Sequence, residues 1–329
     1  MGGGTGMATL LSGLKKFVGV EGGPAAIESL TAVVTVTDDG GSSGRLRDEF
    51  RMLPPGDIRS CIVALSDHTA LLSRLFQFRF DGNGELAGHS LGNLLLTALT
   101  SVKGDFLQAI RAASDVLAIR GTIYPATMEN VHLVADLADG RRMRGETRIA
   151  GAGVPIKAIR LEPASCRPLP ETLAALRNAD VITVGPGSLF TSLIPTLLVP
   201  GIAEALRRSR AVKVFVVNVM TQPGETPGFT ASDHLRRVQE LCGPGLFDVA
   251  MVNSEAPSES ALRRYRRDGA DLVAPDTARF RKLGVEVALR RVLAEDNVVR
   301  HHSVKLARSI LRVKLRSAGG RAARERRAG

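Results

Sequence analysis

Residues 1–17 read MGGGTGMATLLSGLKKF, a glycine-rich turn that runs directly into an amphipathic helix. Such a turn cradles phosphate, because backbone N–H groups converge there and the helix N-terminus adds a partial positive charge. In α/β proteins the turn normally follows a buried strand. We therefore expect a Val- and Ile-rich strand, encoded ahead of Met1, to lead into Gly2. The stretch predicts an α/β fold with a phosphate site at its first loop.

Strands and helices alternate along most of the chain. LTAVVTVT at 30–37 is a β-branched run typical of a buried strand, and after residue 170 the strands DVITVG and KVFVVNVM alternate with helical segments. Near-continuous Val and Ile strands of this kind indicate a parallel sheet that is covered on both faces. The sequence predicts one Rossmann-like, doubly wound α/β domain with a mostly parallel sheet over residues 1–302.

Two segments depart from that alternation. Between about 120 and 165, GTIYPAT, VHLVADLADGRRMRGET and VPIKAIRLEP alternate apolar and polar residues around the hairpin signal Asp139-Gly140, which predicts a small β insertion. Residues 303–329 hold nine Lys and Arg residues and one acid, so this end carries much of the net charge of +11. We expect a terminal helix there, followed by a disordered basic tail.

Composition narrows the classes of function. Aromatic residues make up 4% of the chain and Trp is missing, which argues against base-stacking platforms for a specific nucleic acid. Because no apolar run reaches the roughly 20 residues that a membrane span needs, we expect no membrane insertion. The three cysteines are scattered without metal-ligand spacing, which is typical of reduced thiols and predicts a cytoplasmic location.

Four polar loops follow predicted strands at their C-terminal ends, the edge at which open α/β sheets bind ligands. They are GGGTG (2–6), TDDGGSSGR (37–45), GPGSLFTS (185–192) and NVMTQPGET (218–226). GGGTG departs from the GxGxxG dinucleotide pattern, since Met7 stands where the third glycine belongs. Two glycine loops that open helices on one sheet edge could nevertheless hold a pyrophosphate from both sides.

The carboxylates near these loops leave several roles open. Asp38 and Asp39 end a strand, where an acid binds ribose hydroxyls, holds Mg²⁺ against a pyrophosphate, or caps the loop. Asp57 is either a helix-start acid or a third member of this group. Asn93 stands at the start of a later helix, just after His89. No Ser-His-Asp pattern, cysteine nucleophile or HExxH motif is present in the sequence, so the sequence does not indicate which residue would act as a catalytic base.

Taken together, the loops resemble the gluconeogenesis factor (YvcK-type) branch of the CofD family. The motifs that carry the resemblance are GGGTG, DDGGSSG-R, PGDIR, HSLGNLLL, GPGSLFTSLIPTLLVPGI and NVMTQPGET, and it covers residues 2 to about 310. The 2-phospho-L-lactate transferases of the family are similar in fold. The resemblance implies a protein that binds UDP-sugars, notably UDP-N-acetylglucosamine. It also implies links to cell-wall precursor supply, cell shape and growth on gluconeogenic carbon. It implies no specific catalysed reaction.

The resemblance further implies a set of nucleotide-sugar contacts. Around the phosphates it places Gly2, Gly3, Gly4, Thr5, Gly6, Gly185, Gly187 and Ser188, with Asp38, Asp39, Asn93, Asn218, Thr221 and Gln222 close by and Arg300 as a guanidinium contact. A bound Mg²⁺ would lie on Asp38, Asp39 and Asp57. NAD is the alternative nucleotide ligand.

Three functions fit these residues. The first is a cytoplasmic UDP-sugar-binding regulator that catalyses no specific reaction. It would act through protein partners in cell-wall regulation, and its oligomeric state stays open. The second is a Mg²⁺-dependent transferase on a pyrophosphate-activated substrate, similar to the 2-phospho-L-lactate transferases. The third is a dinucleotide-dependent oxidoreductase, which the fold alone would suggest. The missing GxGxxG pattern disfavours the third function, and metal dependence separates the first two.

Overall fold

In the computed structural model, which describes residues 1–20, 26–67 and 70–313, helices alternate with short strands. The helices are α1 (Gly4–Leu14), α2 (Gly41–Phe50), α3 (Gly56–Leu65), α4 (Ala70–Gln77), α5 (Leu91–Lys103), α6 (Phe106–Val116), α7 (Glu146–Ala150), α8 (Pro170–Asn178), α9 (Ile194–Leu198), α10 (Ile202–Arg208), α11 (Ala231–Cys242), α12 (Glu259–Arg267) and α13 (303–313). The strands are β1 (Thr31–Val34), β2 (Thr122–Pro125), β3 (His132–Leu137), β4 (Arg142–Arg144), β5 (Ile156–Glu162), β6 (Val181–Val184), β7 (Val212–Val216), β8 (Val249–Asn253), β9 (Glu286–Arg290), β10 (Leu293–Glu295) and β11 (Val299–His301). A π-helical turn covers Leu189–Leu193, and 3₁₀ turns cover Lys15–Phe17 and Thr277–Leu283.

Met1 and Gly2 join two groups of parallel strands into one sheet. β1 pairs with β2, and β6, β7, β8 and β9 pair in that order, all of them parallel. Between the groups, the Gly2 N–H donates to the Val33 carbonyl of β1, and the Met1 amino group donates to the Thr183 carbonyl of β6. The order across the sheet is therefore β2-β1-(1–2)-β6-β7-β8-β9.

Side chains of the inner strands β7 and β8 are buried on both faces, which confirms the predicted doubly wound α/β fold. Val214 and Val216 of β7 belong to one apolar cluster, and Phe215 between them belongs to another. On the first face α1 and α13 contribute Leu10 and Leu306, and α9 to α11 pack on the second. Because both faces of β7 and β8 are covered, apolar residues dominate these two strands, whereas the edge strand β9 has the exposed residues Glu286 and Leu289.

The β insertion is smaller than the sequence predicts. β3, β4 and β5 form an antiparallel sheet in the order β4-β3-β5, within residues 132–162. The GTIYPAT segment, which the alternation assigned to the insertion, instead supplies β2, where Thr122 lies opposite Thr31 in parallel register. The expected start of the insertion near residue 120 is therefore wrong. A four-residue strand with alternating burial looks the same at the edge of a parallel sheet as in a hairpin.

The end of the chain agrees with the sequence as far as it is described. α13 begins at residue 303, where a terminal helix was expected, and the basic tail beyond residue 313 lies outside the described residues. Across the described ranges, no single helix has the length and apolarity to cross a membrane. One bent pair, Leu189–Leu198 with Ile202–Arg208, passes by length and composition, and its large apolar side chains other than Leu198 are buried in the core.

A cavity of about 540 Å³ continues the sheet position that Met1 and Gly2 occupy. Apolar side chains of β1, β6 and α1 line part of it, among them Val33, Ile182 and Leu14, and polar residues such as Glu28 and Asn178 line the rest. β1 and β6 do not pair with each other along this gap. The cavity could therefore accommodate one more extended segment between β1 and β6.

A short Val- and Ile-rich segment fused ahead of Met1 is expected to raise the melting temperature by several degrees. It would fill apolar space and pair with the backbones of both β1 and β6. Thermal unfolding followed by circular dichroism measures the change, and a Gly-Ser segment of the same length is the control. Equal melting temperatures for the two fusions would contradict this account of the cavity.

Candidate functional site

The two glycine loops meet at the point where the strand order of the sheet reverses. From residues 1–2 the chain passes through α1 to β1 on one side, whereas β6 begins the other half of the sheet. Ligands of open α/β sheets bind outside the carboxyl ends of the strands at such a switch point. Residues 2–6 and 185–192 therefore lie together where this class of fold binds nucleotides.

Close contacts and one backbone angle shape the first glycine loop. Gly4 begins α1 with φ of 65°, a conformation that favours glycine. A Cβ on Gly3 would lie 2.2 Å from Asp57 Oδ2, and a Cβ on Gly6 would lie 2.6 Å from the carbonyl oxygen of Pro186. Tight packing alone thus requires two of the glycines, and it brings the two loops into backbone contact.

Some backbone N–H groups at the N-terminus of α1 are not hydrogen-bonded to the described residues. The Gly4 N–H donates to Asp57 Oδ1 at 2.9 Å. Within the described residues, the N–H groups of Thr5 and Gly6 make no hydrogen bond, as expected for a first helical turn. Thr5 is exposed, and its hydroxyl likewise makes no hydrogen bond to the described part of the chain. These groups can accept an anion that approaches the helix end.

The segment 218–226 holds the second glycine loop in place. Asn218 Oδ1 accepts a hydrogen bond from the Gly187 N–H at 3.1 Å, and its amide donates to the Gly187 carbonyl at 2.8 Å. Gln222 donates to Ser188 Oγ at 2.8 Å. Both amides, which the resemblance places near the ligand, therefore position the loop that would contact it.

Glu225 fixes the far end of the same loop. This buried carboxylate accepts hydrogen bonds from the Phe190 N–H and the Thr191 hydroxyl, each at 2.9 Å. Thr221 has a different partner, because its hydroxyl accepts from the Asp271 N–H at 2.8 Å. Among the segment's candidate contacts, Thr221 thus braces the segment itself and not the glycine loop.

Five carboxyl groups gather behind the two loops: Asp38, Asp39, Asp57, Glu146 and Glu225. The pKa of Asp57 is raised to about 7, first by burial and then by the charge of Asp38. Burial also raises the pKa of Glu146 well above its ordinary value, and the charges of the other four add to the effect. Like charges that are removed from water retain protons, so part of this group is uncharged at neutral pH.

Asp38 and Asp39 turn to different partners, which bears on the expected Mg²⁺ site. Asp38 Oδ1 accepts from the Gly40 N–H at 2.9 Å, as a loop cap does. Asp39 Oδ1 accepts from the N–H and the hydroxyl of Thr147, each at 2.9 Å. In residues 1–20, 26–67 and 70–313, no group of three or more His, Cys, Asp or Glu side chains is arranged to hold a metal ion. The Mg²⁺ site stays a prediction.

Asn93 lies buried beside the loop at 37–45. Its amide donates to Ser42 Oγ at 3.1 Å, and its oxygen accepts from Arg59 Nε at 2.9 Å. His89 Nδ1 hydrogen-bonds the same Ser42 hydroxyl at 3.1 Å. Both polar ends of Asn93 are therefore engaged inside the protein, where they fix the first turn of α2.

Arg300 lies on β11, in the separate two-stranded β10-β11 sheet. Its neighbour His301 is buried and hydrogen-bonds the backbone of Val217, the residue before Asn218. The Arg300 side chain is half exposed and forms an ion pair with Asp296 at 3.0 Å. Because exposed ion pairs contribute little to stability, this guanidinium can exchange its partner for an anionic ligand.

Sequence reasoning assigned no role to two of the acids at this site. Glu225 belongs to the NVMTQPGET motif, whose other residues were predicted to lie at the site, so the motif could have indicated Glu225 as well. Glu146 begins α7 in the insertion, and only the fold brings its carboxylate to the Thr37 hydroxyl, at 3.4 Å. No pattern in the sequence around Glu146 could have indicated that contact.

Comparisons with known proteins agree with this geometry. A family model described as 2-phospho-L-lactate transferase CofD matches residues 1–293. The chain belongs to the CofD family. A family relative named putative gluconeogenesis factor from Nostoc sp. is 49% identical over 315 residues, 95% of this chain and 67% of the relative. A gluconeogenesis factor from Halalkalibacterium halodurans is 47% identical over 96% of each chain, and one from Bacillus subtilis is 46% identical over 93% and 94%.

Solved structures point to the same branch of the CofD family. A crystal structure of a UPF0052 family member from Bacillus halodurans matches with a TM-score of 0.89 at 48% identity, over 94% of this chain and 97% of that chain. The resemblance to the gluconeogenesis factor branch is thereby confirmed, as is the α/β class of the fold.

In this CofD-family protein, Asp57→Asn is expected to stabilise the fold at neutral and alkaline pH. The folded-state pKa of about 7 lies above the ordinary value of 3.8. Folding therefore favours the protonated carboxyl, and this stability is complete below the lower value and is lost as pH rises toward the higher one. The asparagine oxygen can still accept from the Gly4 N–H.

Melting curves between about pH 4 and about pH 8 test this expectation. The variant's advantage should grow with pH and reach on the order of 2–4 kcal/mol of unfolding free energy. Asp48→Asn, at an exposed position of α2, is the control. An Asp57→Asn effect that does not change with pH would contradict the assignment of a raised pKa to this carboxyl.

Proposed function

We propose that this protein is a regulator that binds a UDP-sugar, with UDP-N-acetylglucosamine as its ligand. In this proposal ligand binding is linked to cell-wall precursor supply, cell shape and growth on gluconeogenic carbon. The gluconeogenesis factor names of its relatives support the last of these links. The observation that carries the proposal is the backbone contact between the two glycine loops, Gly6 against Pro186 and Gly187 against Gly3.

The geometry of the loops suits a pyrophosphate. One phosphate would approach the N–H groups of Thr5 and Gly6, and the other would approach those of Ser188 and Leu189. None of these four N–H groups makes a hydrogen bond to the described residues. Two adjoining helix ends offer donors and partial positive charge to both phosphates of one ligand. Arg300, half exposed on β11, would add a charged contact.

Binding without turnover is favoured by how the polar side chains are used. Asn218, Gln222 and Glu225 hold the GPGS loop through their own polar atoms and have little left to offer a reacting group. The three cysteines are buried and unpaired, which fits a reducing compartment and supports a cytoplasmic location as part of the proposal.

Calorimetric titration with UDP-N-acetylglucosamine, UDP and NAD, in Mg²⁺ and in EDTA, tests the function. The proposal expects UDP-N-acetylglucosamine to bind more tightly than NAD, and to bind in EDTA. Binding that disappears in EDTA, with turnover in Mg²⁺, would favour a transferase. A preference for NAD, or no binding by folded protein, would contradict the proposal.

Thr5→Glu is expected to weaken binding of UDP-N-acetylglucosamine by about tenfold or more, because a carboxylate would stand where the phosphate approaches. An acid in the first turn of a helix is favourable to the helix, so the melting temperature should not fall. Thr5→Gln has the same length without the charge and should keep most of the affinity. Equal affinities for the two variants would show that no phosphate lies at this helix end.

A further inference from the structure

The net charge of the chain is concentrated at its end. Residues 1–258 contain 25 Lys and Arg residues and 25 acids, so their charges cancel. Residues 259–329 contain 19 basic residues and 8 acids, and the whole net charge of +11 therefore lies in the last 71 residues. A charge asymmetry of this kind indicates a partner that carries negative charge.

The outer face of α13 consists of basic side chains. Within residues 303–313 the exposed positions are Lys305, Arg308 and Arg312, and the segment contains no Asp or Glu. The spacing of i, i+3 and i+7 places the three side chains on one face of the helix, in a row roughly 10 Å long. We call these three residues the α13 row.

The charges of the α13 row are not neutralised by the described part of the chain. Lys305 takes part in hydrogen bonds there only through its backbone, with His302 and Ser309. Among the described residues, the side chains of Arg308 and Arg312 likewise form no hydrogen bond or ion pair. Arginines of the neighbouring segments are engaged differently, since ion pairs join Arg266 to Asp271 and Arg300 to Asp296. The row is therefore free to meet an external anion.

α13 lies flat on the sheet, beside α1. Leu306 and Ile310 belong to the apolar cluster that contains Val214 of β7. A Cβ on Gly13 of α1 would lie 2.1 Å from the Ser303 carbonyl oxygen, so the backbones of the two helices touch. The helix is thus one member of a packed layer and does not project from it. Its apolar side is occupied by the core, and only the basic row is available to a partner.

The composition and position of the row favour a flat anionic surface. Interfaces between proteins have apolar and aromatic residues at their centres and are depleted in Lys, whereas the row offers charge alone. A helix that reads duplex nucleic acid enters a groove about 12 Å wide, and α13 lies within a layer. Binding of single strands uses exposed aromatic side chains. A bilayer that contains anionic lipids is flat and attracts basic side chains without a matching shape.

We propose that the α13 row holds this protein electrostatically at the surface of an anionic lipid bilayer, outside the hydrocarbon. Because each Lys or Arg near such a surface raises partitioning about fivefold, the three residues together contribute about 100-fold. Residues 314–329 add six basic residues and one acid to the same end of the chain. The proposal does not depend on UDP-sugar binding, whose candidate loops lie at 2–6 and 185–192.

Cosedimentation of the full chain with lipid vesicles tests the proposal. The wild type is expected to bind vesicles of phosphatidylcholine with about 30% phosphatidylglycerol, and not vesicles of phosphatidylcholine alone. Binding should weaken steeply between about 50 mM and about 300 mM salt, because salt screens the attraction between exposed charges.

Reversing the charges of the row should remove most of this binding. The variant Lys305→Glu/Arg308→Glu/Arg312→Glu is expected to partition about 100-fold or more weakly than the wild type, since the three attractive charges become repulsive. Each reversal removes two positive charges, so the net charge of this variant is +5 in place of +11.

The matched control is Arg51→Glu/Arg148→Glu/Lys157→Glu. It also reverses two arginines and one lysine at exposed positions, and it has the same net charge of +5. Arg148 and Lys157 adjoin Ile149 and Ile156, which belong to the other apolar cluster. The control should keep its affinity for the vesicles within about threefold, because charges beyond the Debye length of the row are screened.

Circular dichroism checks that each variant is folded, and Lys305→Gln/Arg308→Gln/Arg312→Gln repeats the test if the reversed row does not fold. Random-sequence duplex DNA is measured beside the vesicles. A wild type that ignores phosphatidylglycerol vesicles at low salt would overturn the proposal. So would a folded row variant that binds as tightly as the control, or binding to DNA that persists to higher salt than binding to vesicles, which would assign the row to nucleic acid.

Discussion

The contact between Gly6 and the Pro186–Gly187 backbone is the constraint on which the rest of the site depends. Because a Cβ on Gly6 would lie 2.6 Å from the Pro186 carbonyl oxygen, α1 and the loop after β6 approach as closely as two backbones allow. This approach requires β1 and β6 to flank Met1 and Gly2 in one sheet. It also brings two helix N-termini together, so that their partial positive charges act on the same volume.

Polar side chains hold both sides of this contact. Asn218 and Glu225 clamp the second loop from the carboxyl end of β7, and Asp57 of α3 holds the first loop through the Gly4 N–H. A carboxyl group at a helix N-terminus would repel an arriving phosphate if it were fully charged. Burial and Asp38 raise the Asp57 pKa to about 7, so much of this carboxyl is uncharged at neutral pH and its repulsion is reduced.

The sequence was sufficient to predict the α/β fold and the edge of the sheet at which the loops meet. It was insufficient to predict which atoms each site residue contacts. Val-rich strands such as β7 identify a parallel sheet, and a glycine loop after a strand identifies the ligand edge, because both patterns are local. β2 was assigned to the insertion because four residues do not reveal which strand they pair with. Gln222 donates a hydrogen bond to Ser188, a contact that the motif does not reveal, because a motif shows that a residue matters and not which atoms it contacts. Its place at the ligand stays a prediction. Glu146 reaches the site only through the folding of the insertion.

The central claim is that the two touching glycine loops form one phosphate site. Amide hydrogen exchange with and without saturating UDP-N-acetylglucosamine tests it most directly, because the claim concerns backbone N–H groups. The account predicts that exchange slows at residues 4–6 and at 187–189 together. Protection of only one loop, or protection elsewhere while the ligand is bound, would contradict it.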